Sequence, residues 1–192
     1  MFSGDRTMRQ AQTLNEAQLR RVVQYCRSRR HPVRDETIIL FSFYAGLRAK
    51  ELAGLTRGDV FDEDGNVRDT FVMQKEQTKG NKTRIVYIST ALKKTLISYK
   101  QSLSVMSHDA YLFTTRKSKC FSANTMSQLF LNIFKSAQLN DASSHSMRRT
   151  FITELAHKGI NVRVLQQLAG HSSISTTQDY IDYMEKKWGN KK

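Results

Sequence analysis

Residues 35–52 read DETIILFSFYAGLRAKEL and join a strongly apolar segment to a short amphipathic one. Apolar side chains in residues 35–45 fall on nearly every side of a helical wheel, which is typical of a helix buried at the centre of a domain. Gly46 is a residue at which such a helix commonly ends. A short helix over residues 49–55 is predicted to follow directly, so this stretch predicts a buried helix, a sharp turn and a second helix.

The flanking sequence predicts a mainly α fold with a small antiparallel β-sheet. Asn15 and Gln18 have the spacing of a capping box, so the first helix is expected to begin there. Two extended runs, residues 71–73 and 83–88, are joined by a turn with Gly80, which indicates a β-hairpin. Apolar residues return to helical spacing after residue 92. We expect a flexible segment over residues 1–13, one domain over residues 14–183 and a basic tail over residues 184–192.

Length and charge narrow the class of protein. The 192 residues are enough for one hydrophobic core. Lys and Arg number 31 against 17 Asp and Glu, which gives a formal net charge of +14. This excess favours a polyanionic partner such as nucleic acid or an anionic membrane surface, but it specifies no chemistry.

Cysteine usage and hydropathy indicate a compartment. Cys26 and Cys120 form no C-x-x-C pair and are too few for a disulfide framework, so a reducing cytoplasm fits better than secretion. No stretch approaches the roughly 20 apolar residues of a membrane span. The sequence also contains no pair of carboxylates or histidines at a spacing that is convincing for metal ligands. We therefore expect neither a metal nor a cofactor.

Two short motifs lie on either side of the predicted hairpin. The first is residues 46–52, GLRAKEL; the second comprises residues 145–148, HSMR, then Gly170-His171, then Tyr180. Taken one at a time, these residues are more often solvated or structural than catalytic. Together they resemble the two conserved boxes of the tyrosine recombinases of the phage-integrase family, G-L-R-x-x-E-L and H-x-L-R, G-H, Y. The resemblance covers residues 14–183, and it departs from the usual wording only at Met147, Arg149 and Ala169.

The resemblance implies a catalytic set and a reaction, the cutting and rejoining of DNA without metal or ATP. Guanidinium groups suit the neutralisation of charge on nonbridging phosphate oxygens, because their geometry is fixed and they stay charged. A tyrosine nucleophile retains the energy of the broken bond in a 3′-phosphotyrosine, so the ends can be rejoined. The residues assigned to catalysis are Arg48, Lys79, His145, Arg148, His171 and Tyr180.

The same resemblance assigns the proton transfers and one supporting residue. His145 would act as base toward the nucleophile, Lys79 as acid toward the leaving 5′ oxygen, and His171 would hydrogen-bond the phosphate. Lys82, on the same hairpin, is the competing choice for the lysine. Glu51 lies one helical turn from Arg48, either as a buried partner that orients it or as an ordinary surface pair worth about 0.2 to 0.5 kcal/mol.

DNA contacts and partners are also expected. Asn and Gln side chains can pair with adenine in the major groove, and the helix near residues 122–136 lies where the family presents one. The residues predicted to contact DNA are Lys82, Arg84, Lys117, Lys119, Asn124, Gln128, Arg149 and Arg163. The family's separate core-binding domain has no room in 192 residues, so the chain is either naturally short, which Met1 favours, or a fragment. Double-stranded DNA, a tetramer on two sites and accessory DNA-bending or directionality proteins are the expected partners.

Two other functions stay open on sequence grounds. One is a catalytically idle DNA-binding regulator of the same fold, and the other is a strand transferase of the type IB topoisomerase or telomere-resolvase kind.

Overall fold

Helices are the main elements in the part of the chain that the structure describes, and one hairpin interrupts them. The computed structural model describes residues 12–78, 83–103, 107–178 and 181–182. The two strands are β1 and β2, Thr70–Met73 and Arg84–Tyr87. The helices, α1 to α8 in chain order, are Glu16–Arg27, Pro32–Ala45, Ala49–Ala53, Arg57–Val60, Thr90–Gln101, Ala123–Ser136, Ser144–His157 and Val162–Ala169. The predicted fold class is confirmed.

The central helix is α2, which packs against α1, α5 and α7. Ile38, Ile39 and Phe41 are fully buried in it, as its apolar composition predicts. Its start was predicted at Asp35, but the helix begins at Pro32. Proline suits this first position because its missing N–H would have no partner there and its φ is already helical. The proline therefore starts the helix instead of separating it from α1.

Capping residues fix most of the other boundaries. The Asn15 side chain accepts a hydrogen bond from the Gln18 amide, and the Gln18 side chain accepts one from the Asn15 amide, so the capping box is confirmed. Asn161 caps α8 through the Arg163 amide. Helix α3 ends at Ala53, two residues before the predicted end at Leu55.

The hairpin pairs β1 with β2 in antiparallel register, with Val72 opposite Ile85 and Met73 opposite Arg84. Strand β1 begins one residue before the predicted run of residues 71–73, whereas β2 is two residues shorter than the predicted run of residues 83–88. Met73 and Val86 face the core, whereas Val72 and Ile85 lie half exposed on the outer face. Strand β2 also contacts α8, and this contact brings the hairpin next to the second motif.

A buried ion-pair cluster ties the turn before α2 to the loop before α6. Asp35 is 1% exposed, and its carboxylate accepts bonds from Arg29 Nε at 2.7 Å and Arg34 Nη2 at 2.7 Å. Arg34 also donates to the Thr114 carbonyl and lies 5.2 Å from the centre of the Phe121 ring. The Asp35 carboxylate thus binds two arginines, and one of them, Arg34, contacts the loop before α6.

Replacing Asp35 by Asn is expected to lower the free energy of unfolding by about 3 kcal/mol, because two partly buried guanidinium groups lose their counterion. Chemical denaturation measures the change. The control is Glu16→Gln, which breaks an ion pair with Arg20 in which both side chains are more than half exposed. That variant should change stability by less than about 0.5 kcal/mol. Equal effects of the two substitutions would contradict the role given to Asp35.

Candidate active site

The turn after α2 depends on Gly46. Its φ of +63° is left-handed, and a Cβ at this position would lie 2.4 Å from Phe151 Cδ1. Any larger residue would therefore clash with α7 as well as strain the backbone. The turn delivers Arg48 to the N-cap of α3 and leaves the Gly46 carbonyl as an acceptor for Arg148 Nη1 at 2.6 Å. The first motif is thus held directly against the second.

Glu51 is the buried anion of the site, with 1% of its surface exposed. Its Oε1 accepts a bond from Arg48 Nη1 at 2.8 Å, and its Oε2 accepts one from the Arg48 backbone amide at 2.8 Å. Arg84 Nη2 donates a further bond to Oε2 at 2.8 Å. The sequence left open whether Glu51 and Arg48 form a buried pair or an ordinary surface pair, and the structure shows the buried pair.

The charges around Glu51 decide its protonation. Burial alone would raise the pKa of this carboxyl, but the positive charges of Arg84, Arg48 and Arg148 outweigh burial and hold the pKa below its ordinary value. Glu51 is therefore ionised at neutral pH. Three guanidinium groups face this one carboxylate, so the cluster as a whole is cationic.

Two of these arginines also bind the C-terminal end of α8. A helix end leaves carbonyl oxygens without intrahelical partners, and these oxygens carry the negative end of the helix dipole. Arg84 Nη1 donates to the Leu168 carbonyl at 2.6 Å, and Arg148 Nη2 donates to the Ala169 carbonyl. The helix then ends at Gly170, in the left-handed conformation with φ of +59°. Cations thus fix the backbone just before His171.

His171 follows this helix end and is partly buried. Its Nδ1 lies 2.9 Å from Oγ1 of Thr177, a fully buried hydroxyl that the sequence patterns did not single out. Burial lowers the pKa of the imidazole, and repulsion from Arg148, Arg48 and Arg84 lowers it further, to about 4. Glu51 opposes this shift without cancelling it. The ring is therefore neutral at physiological pH.

His145 is the second residue of α7 and is exposed. Arg148 follows it by one turn of the same helix, so both project from the same side. The N-terminus of a helix of this length carries a positive partial charge that favours phosphate. Lys79, Lys82 and Tyr180 lie outside the described residues, and their predicted roles stay predictions.

A cleft of about 860 Å³ opens between β2 and α8. Arg48 and Arg84 supply its cationic lining, His171 adds a neutral imidazole, and Ile85 and Val164 supply apolar walls. Only part of the cationic cluster is accessible: the Arg48 side chain is 19% exposed and the Arg84 side chain 7%. Arg48 is thus the more accessible of these two cations toward a ligand in the cleft.

The predicted DNA-contact residues fall into two groups. Five are exposed, on the loop before α6, on α6 itself and on α8; they are Lys117, Lys119, Asn124, Gln128 and Arg163. Arg84 and Arg149 are buried, at 9% and 4% exposure. The Arg84 guanidinium donates to Glu51 and to the Leu168 carbonyl, so these bonds give no support to its predicted phosphate contact, whereas the contact predicted for Arg149 stays a prediction. Arg84 instead belongs to the Glu51 cluster, which the pattern of the hairpin did not reveal.

Within the described ranges, no three His, Cys, Asp or Glu side chains come together as a set of metal ligands. In the same part of the chain, no helix combines the length and the apolar character required to cross a bilayer. Cys26 is fully buried, and burial raises the pKa of its thiol to about 12.

The chain is similar to known proteins over almost its whole length. The model of the phage integrase family matches residues 12–187. Tyrosine recombinase XerA of Pyrococcus horikoshii is 31% identical over 173 residues, which cover 88% of this chain and 55% of the relative. The chain thus spans about half the length of the curated relatives that it matches.

Solved structures share the fold. The crystal structure of XerA recombinase superposes with a TM-score of 0.73 at 26% identity and covers 94% of this chain and 65% of that one. The Tn1549 transposon integrase, solved in complex with transposon right end DNA, superposes with a TM-score of 0.72 at 18% identity and covers 98% and 69%. With the motifs, the fold and the family model in agreement, this chain belongs to the phage integrase family.

Proposed function

We propose that the protein is a site-specific DNA recombinase that cleaves and rejoins DNA strands through a 3′-phosphotyrosine on Tyr180, without metal or ATP. The observation that carries this proposal is the convergence of three guanidinium groups, from Arg48, Arg84 and Arg148, around one carboxylate and the imidazole of His171. Such a cluster has a net positive charge beside an open cleft. A phosphodiester is the ligand that this charge favours.

The cluster suits phosphoryl transfer because it is organised before the substrate arrives. Arg48 is held by Glu51, and Arg148 is held by the Gly46 and Ala169 carbonyls. Charges fixed by the protein need little reorganisation when negative charge develops on the nonbridging oxygens. Arginine also stays protonated at any pH at which the protein is folded. We assign the stabilisation of that charge to Arg48 and Arg148.

The neutral ring of His171 fits a hydrogen-bond donor to phosphate. A neutral imidazole that donates from Nε2 must accept a bond at Nδ1. The Thr177 hydroxyl lies 2.9 Å from Nδ1 and can donate that bond. Thr177 would therefore fix the tautomer that presents Nε2–H to the substrate.

The remaining roles are assigned by family resemblance. Tyr180 is the nucleophile, His145 its base and Lys79 the acid toward the leaving 5′ oxygen, with Lys82 as the alternative to Lys79. Residues 174–178 and 181–182 are helical on either side of Tyr180. A tyrosine has an ordinary pKa of about 10, and the cationic cluster would favour its ionisation.

The exposed basic and amide residues define the surface that would meet double-stranded DNA. We propose that Lys117, Lys119 and Arg163 contact phosphates and that Asn124 and Gln128 read bases from α6. A tetramer on two DNA sites, possible DNA-bending or directionality partners and a place at the nucleoid in the cytoplasm belong to the same proposal. Integration, excision and inversion are all consistent with it.

Covalent capture tests the nucleophile. The protein is incubated with nicked duplexes drawn from the DNA that flanks its own gene, and the products are separated under denaturing conditions. A nick lets the free strand end diffuse away, so the wild type should accumulate a protein–DNA adduct. Tyr180→Phe should form none, because phenylalanine has no nucleophilic oxygen.

Each departure from this result has a separate meaning. An adduct that persists in Tyr180→Phe removes the assignment of Tyr180. Sensitivity to EDTA points to a metal nuclease, and binding without any adduct in the wild type points to an idle DNA-binding regulator. Relaxation of supercoiled plasmid without exchange between two sites identifies a topoisomerase-like strand transferase.

Replacing Glu51 by Gln should lower the free energy of unfolding by about 3 kcal/mol at neutral pH, because Arg48 and Arg84 lose a buried counterion. The folded-state pKa of Glu51 lies below the ordinary value of 4.5. Its stabilising effect is therefore complete above that value and is lost as the pH falls through the folded-state pKa. Chemical denaturation from pH 7 to pH 3 should show the wild type and the variant converging. The exposed Glu63→Gln is the control, and a constant difference across this range would contradict the prediction.

The His171 ring should remain neutral at pH values where exposed histidines are charged. Its pKa of about 4 lies well below the ordinary 6.5, so the folded protein binds fewer protons than the unfolded chain between these values. Stability from this group is complete above 6.5 and is lost as the pH falls toward 4. NMR titration of the histidine rings measures the midpoint, with His171→Gln used to assign the signal. A midpoint near 6.5 would show that the ring is not enclosed by the cationic cluster.

A further inference from the structure

Arg84 was predicted to contact DNA, but its bonds lead into the protein. Nη2 donates to Glu51 Oε2 at 2.8 Å, and Nη1 donates to the Leu168 carbonyl at 2.6 Å. Nε is buried and has no hydrogen-bond partner among the described residues. None of the three nitrogens is thus presented to a partner outside, although the side chain forms part of the lining of the cleft.

The two partners of Arg84 belong to the two halves of the site. Glu51 holds the guanidinium and the backbone amide of Arg48 in the first motif. Leu168 lies three residues before His171, in the last turn of α8 and next to the second motif. Arg84 itself is the first residue of β2, at the end of the strand pair next to the connecting turn. One side chain therefore connects the hairpin, α3 and α8.

Gly170 accommodates this connection. A Cβ at position 170 would lie 2.6 Å from Arg84 Cδ and 3.1 Å from Arg84 Nε. The arginine stem thus packs directly on the glycine that precedes His171. Glycine is required there both by its φ of +59° and by the space that the stem occupies.

We propose that Arg84 is a positioning residue that sets the distance between Arg48 and His171 by bridging Glu51 and the end of α8, and that it makes no contact with DNA phosphate. The expected effect of Arg84 on strand cleavage rests on the proposed function. The bridge between Glu51 and α8 does not depend on that function. The geometry of a guanidinium is essential to this role, because lysine has one nitrogen where arginine has a planar fork. A residue that merely supplied charge to DNA would tolerate lysine.

Binding and cleavage separate these two roles. Affinity for a short fluorescein-labelled duplex of random sequence is measured against salt concentration for the wild type, Arg84→Met and Arg163→Met. Loss of one phosphate contact reduces the slope of log K against log salt by about 0.9. Arg163→Met, which removes an exposed arginine of α8, should show that reduction, and Arg84→Met should keep the wild-type slope. A reduced slope for Arg84→Met would overturn the proposal.

The rate of adduct formation on a reactive nicked duplex gives the second test. Arg84→Lys should form the phosphotyrosine adduct about 100-fold more slowly than the wild type, because displacement of reacting groups by about 1 Å has this effect. Arg20→Lys, which changes an exposed arginine of α1 that has no role in the proposed site, should react at nearly the wild-type rate. Full activity of Arg84→Lys would overturn the proposal. Circular dichroism confirms folding, and if Arg84→Met does not fold, Arg84→Lys alone decides, since it retains a cation opposite Glu51.

The NMR titration of His171 gives a test that needs no catalysis. Without the bond to Leu168, the end of α8 should loosen and admit water to the ring. The midpoint should then rise from about 4 toward 6.5 in Arg84→Lys and stay unchanged in Arg20→Lys. An unchanged midpoint in Arg84→Lys would overturn the proposal. If the wild type forms no adduct, the proposed function fails, while the salt slopes and this titration still decide the role of Arg84.

Discussion

One buried carboxylate organises the site. Glu51 is almost fully enclosed, accepts three hydrogen bonds and lies among three guanidinium groups. A buried charge is costly unless it is paired and hydrogen-bonded, so this carboxylate requires its arginines as much as they require it. The Glu51 carboxylate neutralises one of the three guanidinium charges, and the remaining positive charge lies beside the cleft. Stability and the proposed phosphate recognition therefore depend on the same group.

The second constraint is the C-terminal end of α8. Its last carbonyls would be unsatisfied in a dry interior, and Arg84 and Arg148 satisfy two of them. The glycine that ends the helix gives the arginine stem room and turns the chain toward His171. Backbone polarity thus positions the imidazole, and the cations that do so also keep it neutral. The contacts of Arg84 and Arg148 with the end of α8 therefore serve both the helix end and the site.

Sequence patterns predicted elements well where the cause is local. The capping box at Asn15, the glycine stop at Gly46 and the hairpin all depend on a few adjacent residues, and all are present. The start of α2 was predicted three residues too late, because the helix begins at Pro32 and the apolar run that predicted it begins later. Burial was less predictable: Arg84 looks like a solvated strand residue until α3 and α8 pack against it.

By itself, the sequence determined the fold class, the two family motifs and the order of the residues assigned to catalysis. It could do so because helical periodicity, glycine conformation and motif spacing are properties of short segments. Only the tertiary structure decided which charges are paired. Arg48, Arg84 and Arg148 come from three separate elements, and nothing in their spacing shows that they meet one carboxylate or the end of one helix. Electrostatic energy depends on distance and burial, which exist only after the chain has packed.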